Sequence, residues 1–365
     1  MAPHGPHRPT AANRDLVSTE PTTISIAGAG AIAVVHALAA PSAGCQVIAV
    51  ASAGGTSARH LAGQLDDQHR HRVDHVAVDA LPAGADVLIV ATPPESHAAL
   101  ALSGLAAGAD VLVEKPFTTT LADDDRLVDA AAQATGEDRS GPILRCAENL
   151  LHAPAWRAIT AHRATMGPLG HLSARTLQPP PTWGHFSAPL TSGGVLFDLG
   201  PHALALVMAM AGEPVAGVAA RLSSTRADGA DDDASVRLRF ESGLVATVEV
   251  SWSNPDTEWS LQAASQTGVA RWELSPDLVV ELDGEPVGLV DRYPAAADAF
   301  LERAGYIDQL LDIARGDDTS QTPEQARDVL EVICAAYQSA GNDGADVELP
   351  FGGDRSLTPM QLWRR

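Results

Sequence analysis

Residues 86–117 read DVLIVATPPESHAALALSGLAAGADVLVEKPF, and this stretch decides the predicted fold. The apolar run at residues 87–91 is short enough for a strand that is buried on both faces. Pro93 and Pro94 end that strand, because proline lacks the amide donor of the strand ladder. Apolar residues then recur with helical spacing as far as Gly108, and residues 110–114 form a second apolar run. The pattern predicts a parallel strand–helix–strand unit.

Sheets built from such units bind ligands beyond the carboxyl ends of their strands. Thr92 and Pro93 follow the first of these strands, and Glu114 and Lys115 end the second. We therefore expect a ligand site at this edge, with Lys115 as a charged member.

Length and charge limit the possible functions. A chain of 365 residues suits two domains, and a hydrophobic content of 45% is ordinary for a globular protein. The balance of 24 Lys+Arg against 46 Asp+Glu gives a net charge of −22, which disfavours nucleic acid and anionic membranes as partners. Because no apolar run approaches about 20 residues, we expect no membrane span.

The N-terminus and the cysteines indicate the compartment. Residues 1–22 are rich in Pro, His and polar residues and lack the apolar core of a signal peptide, so we expect a disordered extension. Cys45, Cys146 and Cys334 show no metal-ligand or redox spacing, which predicts free thiols and a cytoplasmic location.

The histidines at residues 69, 71 and 75 could hold a metal, but their Asp- and Arg-rich setting favours a solvated loop, so no metal site is expected.

A glycine-rich turn follows the first predicted strand. Gly28, Gly30 and Ala33 form the G-x-G-x-x-A variant of the dinucleotide fingerprint, and a helical stretch comes next. The turn permits close backbone approach to a pyrophosphate at the N-terminus of the helical stretch predicted at residues 34–40. Ala31 and Ile32, in the same motif, are further candidates for cofactor binding. A tight glycine turn with no ligand is the alternative.

The second predicted strand, residues 46–51, ends at Ser52, where an acid would bind the ribose 2′-hydroxyl of NAD. No carboxylate stands there to repel the 2′-phosphate of NADP. Hydroxyl groups are present at Ser52, Thr56 and Ser57, and Arg59 follows early in the next helix. The sequence therefore weakly favours NADP(H) over NAD(H).

A strand predicted at residues 142–147 ends the first domain. We place the boundary there, which gives a dinucleotide-binding domain at residues 23–147 and a substrate-binding and oligomerisation domain at residues 148–365. Asn149 and His152 follow this strand on the ligand edge, and Trp183 and His185 lie in a proline-rich loop that is either a lid or an ordered surface loop. These four residues are the candidates for substrate contact.

Residues 193–202, GGVLFDLGPH, lead into an apolar helix. Asp198 and His202 are four residues apart and would share one face of a continuous helix. A carboxylate beside a histidine can fix its tautomer for general base catalysis, although such a pair is more often a structural hydrogen bond. Pro201 would kink this helix or mark its true start.

The pattern changes in the second domain. Residues 236–240, 244–252, 260–274 and 278–282 alternate with period two, which predicts an antiparallel sheet with one buried face. The other face could form an oligomer interface. The three aspartates at residues 231–233 are expected in an exposed turn.

Taken together, these motifs resemble those of the glucose-fructose oxidoreductase / inositol dehydrogenase / MocA (Gfo/Idh/MocA) family over roughly residues 23–365. The shared motifs are GAGAIA at residues 28–33, ATPPESH at 91–97, EKP at 114–116 and GGVLFDLGPH at 193–202. The resemblance implies an α/β protein with an N-terminal Rossmann domain and a C-terminal α/β domain whose open, largely antiparallel sheet commonly forms a homodimer or homotetramer. His97 and Glu114 lie in motifs that would line the cofactor.

The resemblance also implies hydride exchange between nicotinamide C4 and a carbinol or carbonyl carbon of a sugar-like or cyclic polyol substrate. Lys115 would bind the reacting oxygen, His202 would act as the general acid or base, and Asp198 would orient His202. Two positions depart from the family pattern. Ala205 stands where many relatives carry an acid, and Ala53 stands where many NADP-using relatives carry arginine.

Two other functions stay open. One is a lyase or glycosidase that cycles a tightly bound NAD, and the other is a ligand-sensing protein on the same scaffold. The presence of Lys115, Asp198 and His202 argues against the ligand-sensing protein. The substrate and the reaction direction do not follow from residue spacing.

Overall fold

The computed structural model describes residues 20–69, 71–136, 140–182, 186, 188–316 and 320–364. Of the predicted N-terminal extension, residues 1–19 lie outside the described residues. The first strand begins at Thr22, one residue earlier than predicted. Among the described residues, no helix is both long enough and apolar enough to cross a bilayer.

The first sheet is parallel throughout, as residues 86–117 predict. Its strands are β1 (Thr22–Ala27), β2 (Cys45–Ala51), β3 (Asp74–Val76), β4 (Val87–Val90), β5 (Asp110–Glu114) and β6 (Leu144–Ala147), in the spatial order β3-β2-β1-β4-β5-β6. Helices α1 (Ala31–Ala39), α2 (Thr56–His69), α3 (His97–Ala106) and α4 (Leu121–Thr135) connect or flank these strands. The strand order reverses between β1 and β4, and such a switch point opens a ligand crevice at the carboxyl edge.

The second sheet is open and largely antiparallel. Its strands are β7 (Leu169–Leu177), β8 (Val215–Ser223), β9 (Asp233–Phe240), β10 (Val245–Ser251), β11 (Glu258–Ser265), β12 (Val269–Ser275), β13 (Val279–Leu282), β14 (Glu285–Pro286) and β15 (Val347–Glu348). Their order is β14-β13-β12-β11-β7-β10-β9-β8-β15. Among the described strands of this second sheet, β7 and β10 pair in parallel and all other neighbours are antiparallel.

The run predicted at residues 260–274 is two strands, not one. The hydroxyl of Ser265 accepts hydrogen bonds from the amides of Thr267 and Gly268 at 3.1 and 3.0 Å, and this contact closes a tight turn between β11 and β12. The buried residues are Leu261 and Ala263 before the turn and Ala270 and Trp272 after it, so the alternation changes phase at the turn that the prediction ran through.

Helices cover one face of the second sheet and join the two sheets. They are α5 (Pro154–Arg163), α6 (Val195–Asp198), α7 (Gly200–Ala211), α8 (Ala299–Arg303), α9 (Tyr306–Arg315), α10 (Pro323–Gly341) and α11 (Pro359–Trp363). In β9, buried and exposed side chains alternate, which is the pattern of a sheet with one packed face.

The predicted boundary between residues 147 and 148 falls directly after β6. Helix α9, however, returns to the first sheet: Ile307, Leu310 and Ile313 are completely buried in the same hydrophobic cluster as Ile24 and Ala33. The core of the N-terminal domain therefore includes a segment from late in the chain, and the division by residue number stays a prediction.

Candidate functional site

The glycine turn after β1 has room for a phosphate group. Gly28 has a φ of 121°, and a Cβ at this position would lie 2.2 Å from the carbonyl oxygen of Ala91, so only glycine fits. Gly30 is the residue before α1, and no atom of the described residues lies within 4 Å of the place its Cβ would occupy. In the same part of the chain, no side chain caps α1, and its first turn carries no acidic residue. The backbone amides that open this helix are therefore free to bind a pyrophosphate, and the turn fits a dinucleotide.

Ser52 lies at the end of β2 and partly serves the helix that follows. Its hydroxyl accepts a hydrogen bond from the amide of Ala58 at 3.2 Å. Arg59, one residue further along α2, places its Nε 3.4 Å from Nε2 of His75 on β3. Two basic side chains thus lie beside the end of β2, where the adenosine ribose of a dinucleotide would be expected.

His97 does not fit its predicted place among residues in direct contact with the cofactor. The side chain is 1% exposed, with Nε2 2.8 Å from the carbonyl oxygen of Thr92 and Nδ1 3.1 Å from that of Pro116. Burial lowers its pKa and outweighs the opposing effect of these carbonyl groups. His97 therefore joins the Thr92–Pro93 loop to the loop after Lys115, and any effect on a cofactor would act through those loops.

Lys115 donates two hydrogen bonds to one residue. Its Nζ lies 3.0 Å from Oδ1 of Asp198 and 2.9 Å from the backbone oxygen of Asp198, and both side chains are 17% exposed. An ammonium group has three N–H donors, so one remains for a substrate oxygen. Burial would lower the pKa of Lys115, but the charges of Asp198 and Glu114 outweigh it and raise the pKa, so the group stays an ammonium ion. The Lys115–Pro116 peptide bond is cis.

Lys115 is also the only lysine in the sequence, in which every other long basic side chain is arginine. Arginine is a planar fork, whereas lysine presents a compact charge with rotatable donors. The use of lysine at this one position, where every other such side chain is arginine, indicates that the site requires a compact charge.

Glu114 contacts the backbone of Lys115 through its carboxylate. Its Oε2 accepts the backbone N–H of Lys115 at 3.1 Å, and its Oε1 lies 2.8 Å from Nε2 of His36, which is completely buried in α1. Burial raises the pKa of Glu114, but the His36 contact and the Lys115 charge outweigh it and lower the pKa overall. Glu114 is thus a buried carboxylate that links the glycine-turn helix to the lysine loop.

The predicted pairing of Asp198 with His202 is wrong. Nδ1 of His202 lies 2.8 and 3.0 Å from the two carboxylate oxygens of Glu148, while Asp198 binds Lys115. The helix is not continuous: α6 ends at Asp198, and α7 begins at Gly200 with Pro201 in its first turn. Spacing of four residues places two side chains on one face only where the helix is unbroken.

Sequence reasoning did not assign Glu148 a role, although a signal was present. Glu148 follows β6 directly, at the same carboxyl edge that carries Thr92 and Lys115. An ionisable residue at that edge is a functional candidate, as much as the neighbouring Asn149.

Asn149 and His152 do not lie where a substrate-contact role requires. Asn149 is 3% exposed and donates to the carbonyl oxygen of Ala304 at 2.7 Å. His152 is 2% exposed, with Nδ1 2.8 Å from Oδ2 of Asp312. Both side chains face the α8–α9 segment, so they hold that segment in place. Trp183 and His185 lie outside the described residues.

The expected exposed turn at residues 231–233 is instead partly buried and anchors α6. Asp231 is completely buried, and its two carboxylate oxygens accept the amides of Gly194 and Leu196 at 2.8 Å each. Its Oδ1 also accepts the hydroxyl of Tyr337. A Cβ on Gly194 would lie 2.0 Å from the backbone oxygen of Asp231. The glycine pair therefore permits the close approach that positions Asp198 at the end of α6.

A glycine turn at the switch point of a parallel sheet, with an ammonium group and a histidine beside it, defines a Rossmann-type dinucleotide-binding protein with a second domain. Two family models match this chain: the oxidoreductase family with NAD-binding Rossmann fold at residues 22–136, and the GFO/IDH/MocA C-terminal domain at residues 161–271. Together they cover more than half of the sequence. The chain belongs to the Gfo/Idh/MocA family of oxidoreductases.

Individual relatives carry sugar and cyclitol activities in their names. Inositol 2-dehydrogenase 1 of Saccharopolyspora erythraea is 35% identical over 107 residues, which are 29% of this chain and 32% of the relative. D-xylose 1-dehydrogenase (NADP(+)) 2 of Haloferax volcanii is 30% identical over 179 residues, 44% of this chain and 50% of the relative. The matched segments thus span a third to a half of these relatives.

The fold is shared with solved structures over nearly the whole chain. The crystal structure of GenD2 from gentamicin A biosynthesis in complex with NAD superposes with a TM-score of 0.72 at 24% identity, covering 96% of this chain and 99% of GenD2. This likeness confirms the predicted α/β architecture with two sheets.

Proposed function

We propose that this protein is an NAD(P)-dependent oxidoreductase that exchanges hydride between nicotinamide C4 and a carbinol or carbonyl carbon of a sugar-like or cyclic polyol substrate. One observation carries the proposal. The Lys115–Asp198 and His202–Glu148 pairs are formed by Lys115 and Glu148, which directly follow the neighbouring strands β5 and β6 at the carboxyl edge that also carries the Gly28–Gly30 turn.

The bound nicotinamide would supply or accept the hydride, and the side chains of this chain would handle the substrate oxygen and its proton. During oxidation, the free N–H of Lys115 donates to that oxygen and stabilises its developing negative charge. Nδ1 of His202 is engaged by Glu148, so Nε2 is the nitrogen that takes the hydroxyl proton. Asp198 fixes the position of the Lys115 ammonium group. Reduction uses the same groups in the reverse direction.

An assay of net hydride transfer tests this function. Purified protein is incubated with inositol, D-xylose and a wider panel of pyranoses and cyclitols, each with NADP+ and with NAD+, while reduced nicotinamide is followed by absorbance. We expect turnover with at least one polyol. Bound NAD(H) that resists dialysis, without net turnover, would instead indicate internal redox cycling. Binding of neither nucleotide would contradict the proposal.

We further propose that NADP(H) is preferred over NAD(H). Arg59 and His75 lie beside the end of β2, and the turn at residues 52–55 carries no carboxylate that would repel a 2′-phosphate. The Haloferax relative is named as NADP-dependent, whereas GenD2 was solved with NAD, so the relatives leave the preference open.

Fluorescence titration with NADPH and NADH measures this preference directly. We expect Arg59→Ala to weaken NADPH binding by about tenfold, the loss of roughly one charged contact, and to leave NADH binding unchanged. Arg72→Ala is the matched control, because Arg72 is an exposed arginine near β3 that pairs with Asp74. Equal weakening of both nucleotides in Arg59→Ala would rule out a 2′-phosphate contact.

The same family context leads us to propose a homodimer or homotetramer in the cytoplasm. The uncovered face of the second sheet carries Arg175, which pairs with Glu249 and with Glu258 at 2.8 Å each. Such a face can pack against a second copy through charged and polar contacts. Cys45, Cys146 and Cys334 are buried free thiols, which supports a reducing compartment.

A further inference from the structure

The Glu148–His202 pair is buried and bidentate. The carboxylate oxygens lie 2.8 and 3.0 Å from Nδ1 of His202, and the side chains of Glu148 and His202 are 1% and 5% exposed. A charge-assisted hydrogen bond is stronger where water is excluded. This geometry places the Nδ1 proton between the ring and the carboxylate.

Glu148 is itself held from two sides. Its Oε1 accepts the amide of Leu150 at 3.4 Å. Its backbone amide donates to the side-chain oxygen of Gln309 at 3.2 Å, in the amide orientation that satisfies both ends of Gln309, which is completely buried in α9. Glu148 is therefore held by its own turn and by α9 before any substrate binds.

The ring of His202 is also restrained on its face. The indole ring of Trp259 lies 5.2 Å from the imidazole ring, centroid to centroid, at an angle of 40°. With Nδ1 bound and one face covered, rotation of the imidazole is restricted and Nε2 keeps one direction.

Several charges surround this pair. Glu114 lies within electrostatic reach of His202, and Lys115 within reach of Glu148. Asp198, at the end of the preceding helix, forms its contacts with Lys115. Glu148 is therefore the carboxylate bonded to His202, and Asp198 is the carboxylate bonded to Lys115.

We propose that Glu148 is the positioning residue for His202. It keeps the Nδ1 proton in place, and its negative charge stabilises the imidazolium ion that forms when Nε2 takes the substrate's hydroxyl proton. In that step the substrate O–H bond breaks and its proton bonds to Nε2, while the oxygen electron pair completes the C=O bond of the product. The hydrogen on the carbinol carbon would pass as hydride to the nicotinamide cofactor. The Nδ1 proton stays on the ring. The catalytic part of this inference rests on the proposed oxidoreductase function.

The first test needs no substrate. Nitrogen-15 histidine NMR of the full chain, with His202→Gln used to identify the resonances of His202 among the 13 histidines, reports the tautomer and the strength of the Nδ1–H hydrogen bond. We expect His202 to carry a proton on Nδ1, with a strongly downfield proton resonance because the acceptor is a charged carboxylate. In Glu148→Gln, which keeps an acceptor oxygen and removes the charge, this resonance should move upfield. An unchanged resonance, or a neutral ring with its proton on Nε2, would overturn the proposal.

Two controls make this test specific. Asp312→Asn removes the carboxylate of the His152–Asp312 pair, which has the same 2.8 Å distance, and should leave the Nδ1–H resonance of His202 in place. Glu148→Asp keeps the charge and should keep that resonance downfield. It also keeps the test decisive if Glu148→Gln fails to fold: an Asp variant whose Nδ1–H resonance moves upfield to the position of histidine in unfolded protein would overturn the role of charge.

Kinetics then separates this inference from the proposed function. With a polyol identified in the panel assay, Glu148→Gln should lower kcat by about 10- to 100-fold and change KM less, while Glu148→Asp should restore part of kcat. If the NMR result is as expected but no substrate turns over, the Glu148–His202 hydrogen bond stands and the proposed oxidoreductase function is rejected. Turnover that is unaffected by Glu148→Gln would reject the positioning role alone.

Discussion

At the scale of single residues, the site combines one ammonium group with three carboxylates. Glu114, Glu148 and Asp198 all raise the pKa of Lys115, and the side chain stays charged although it is largely buried. A permanently charged donor suits stabilisation of an oxyanion and does not suit a nucleophilic amine. The residue chemistry therefore favours hydride transfer over covalent imine chemistry at this lysine.

Replacement of Lys115 tests this role. We expect Lys115→Ala to lower kcat by about 100- to 1000-fold, the usual effect of removing one oxyanion donor, while the Kd for NADPH changes little. Lys115→Arg keeps the charge but not the geometry and should recover only part of the activity. Steady-state kinetics and fluorescence titration measure both quantities. Full activity in Lys115→Ala would disprove the assignment.

A second residue-scale prediction concerns Asp124 in α4. Asp124 is completely buried, and neither carboxyl oxygen has a hydrogen-bond partner among the described residues. Burial raises its pKa well above the ordinary value, so the folded protein holds this proton more tightly than the unfolded chain. The resulting stabilisation is complete below about pH 4, where the unfolded carboxyl is also protonated, and is lost as pH rises through the folded-state pKa.

Asp124→Asn should therefore raise the free energy of unfolding at pH 8 by about 1–3 kcal/mol and should raise it less at pH 4. Urea unfolding at the two pH values measures the difference. Asp129→Asn, on an exposed position of the same helix, is the control and should change little. A loss of stability at pH 8 in Asp124→Asn would contradict the buried-charge explanation.

At the scale of elements, α6 is a short helix whose position depends on α10. Tyr337 on α10 donates its hydroxyl to Asp231 and accepts the amide of Gly194 at 3.0 Å. Since α6 ends at Asp198, the same contacts determine where the Lys115 partner lies. Under the proposed mechanism, the hydrogen bonds of Tyr337 therefore affect the position of the Lys115 ammonium group.

Tyr337→Phe should lower the free energy of unfolding by about 1–2 kcal/mol and kcat several-fold, because the buried carboxylate of Asp231 loses a donor. Ser339→Ala is the matched control: Ser339 lies on the same helix, donates to the carbonyl oxygen of Ala345 at 2.7 Å and accepts the amide of Ala220 at 2.9 Å, away from α6. It should lower stability similarly and leave kcat unchanged. An equal loss of activity in both variants would indicate a general effect of α10.

The elements also show what sequence patterns can and cannot predict. Residues 86–117 predicted the parallel unit correctly because burial, proline and helical spacing are local signals. The partner of His202 was missed because Glu148 is 54 positions away and because Pro201 starts a new helix. The burial of Asp231 was missed for the same reason, since a run of aspartates gives no local sign of amides folded against it.

At the scale of the whole molecule, the charge of −22 causes two copies to repel each other, and salt screens this repulsion. The uncovered sheet face carries both signs of charge, in pairs such as Arg271 with Glu281 at 3.1 Å. A mixed face can pair with a second copy even when the molecule as a whole is acidic.

Light scattering should therefore give a mass of two or four times 37.8 kDa at physiological salt. Thr247→Arg, in the exposed row of β10, should produce monomers that keep their secondary structure, because a buried unpaired charge opposes the interface. Val290→Arg is the control on a residue that is 82% exposed outside the sheet. A monomeric wild-type protein would disprove the oligomer.

Helix α9 carries a consequence for recombination between relatives. It fills the core of the first sheet with Ile307, Leu310 and Ile313, and through Gln309 it holds the backbone of Glu148. A chimera joined only after residue 147 would combine the nucleotide-binding domain of one parent with helix α9 of the other parent, which packs into the core of that domain. A chimera that exchanges substrate specificity should therefore fold only when residues 299–316 come from the same parent as the nucleotide-binding domain. The unit that can be exchanged between relatives is then discontinuous in sequence.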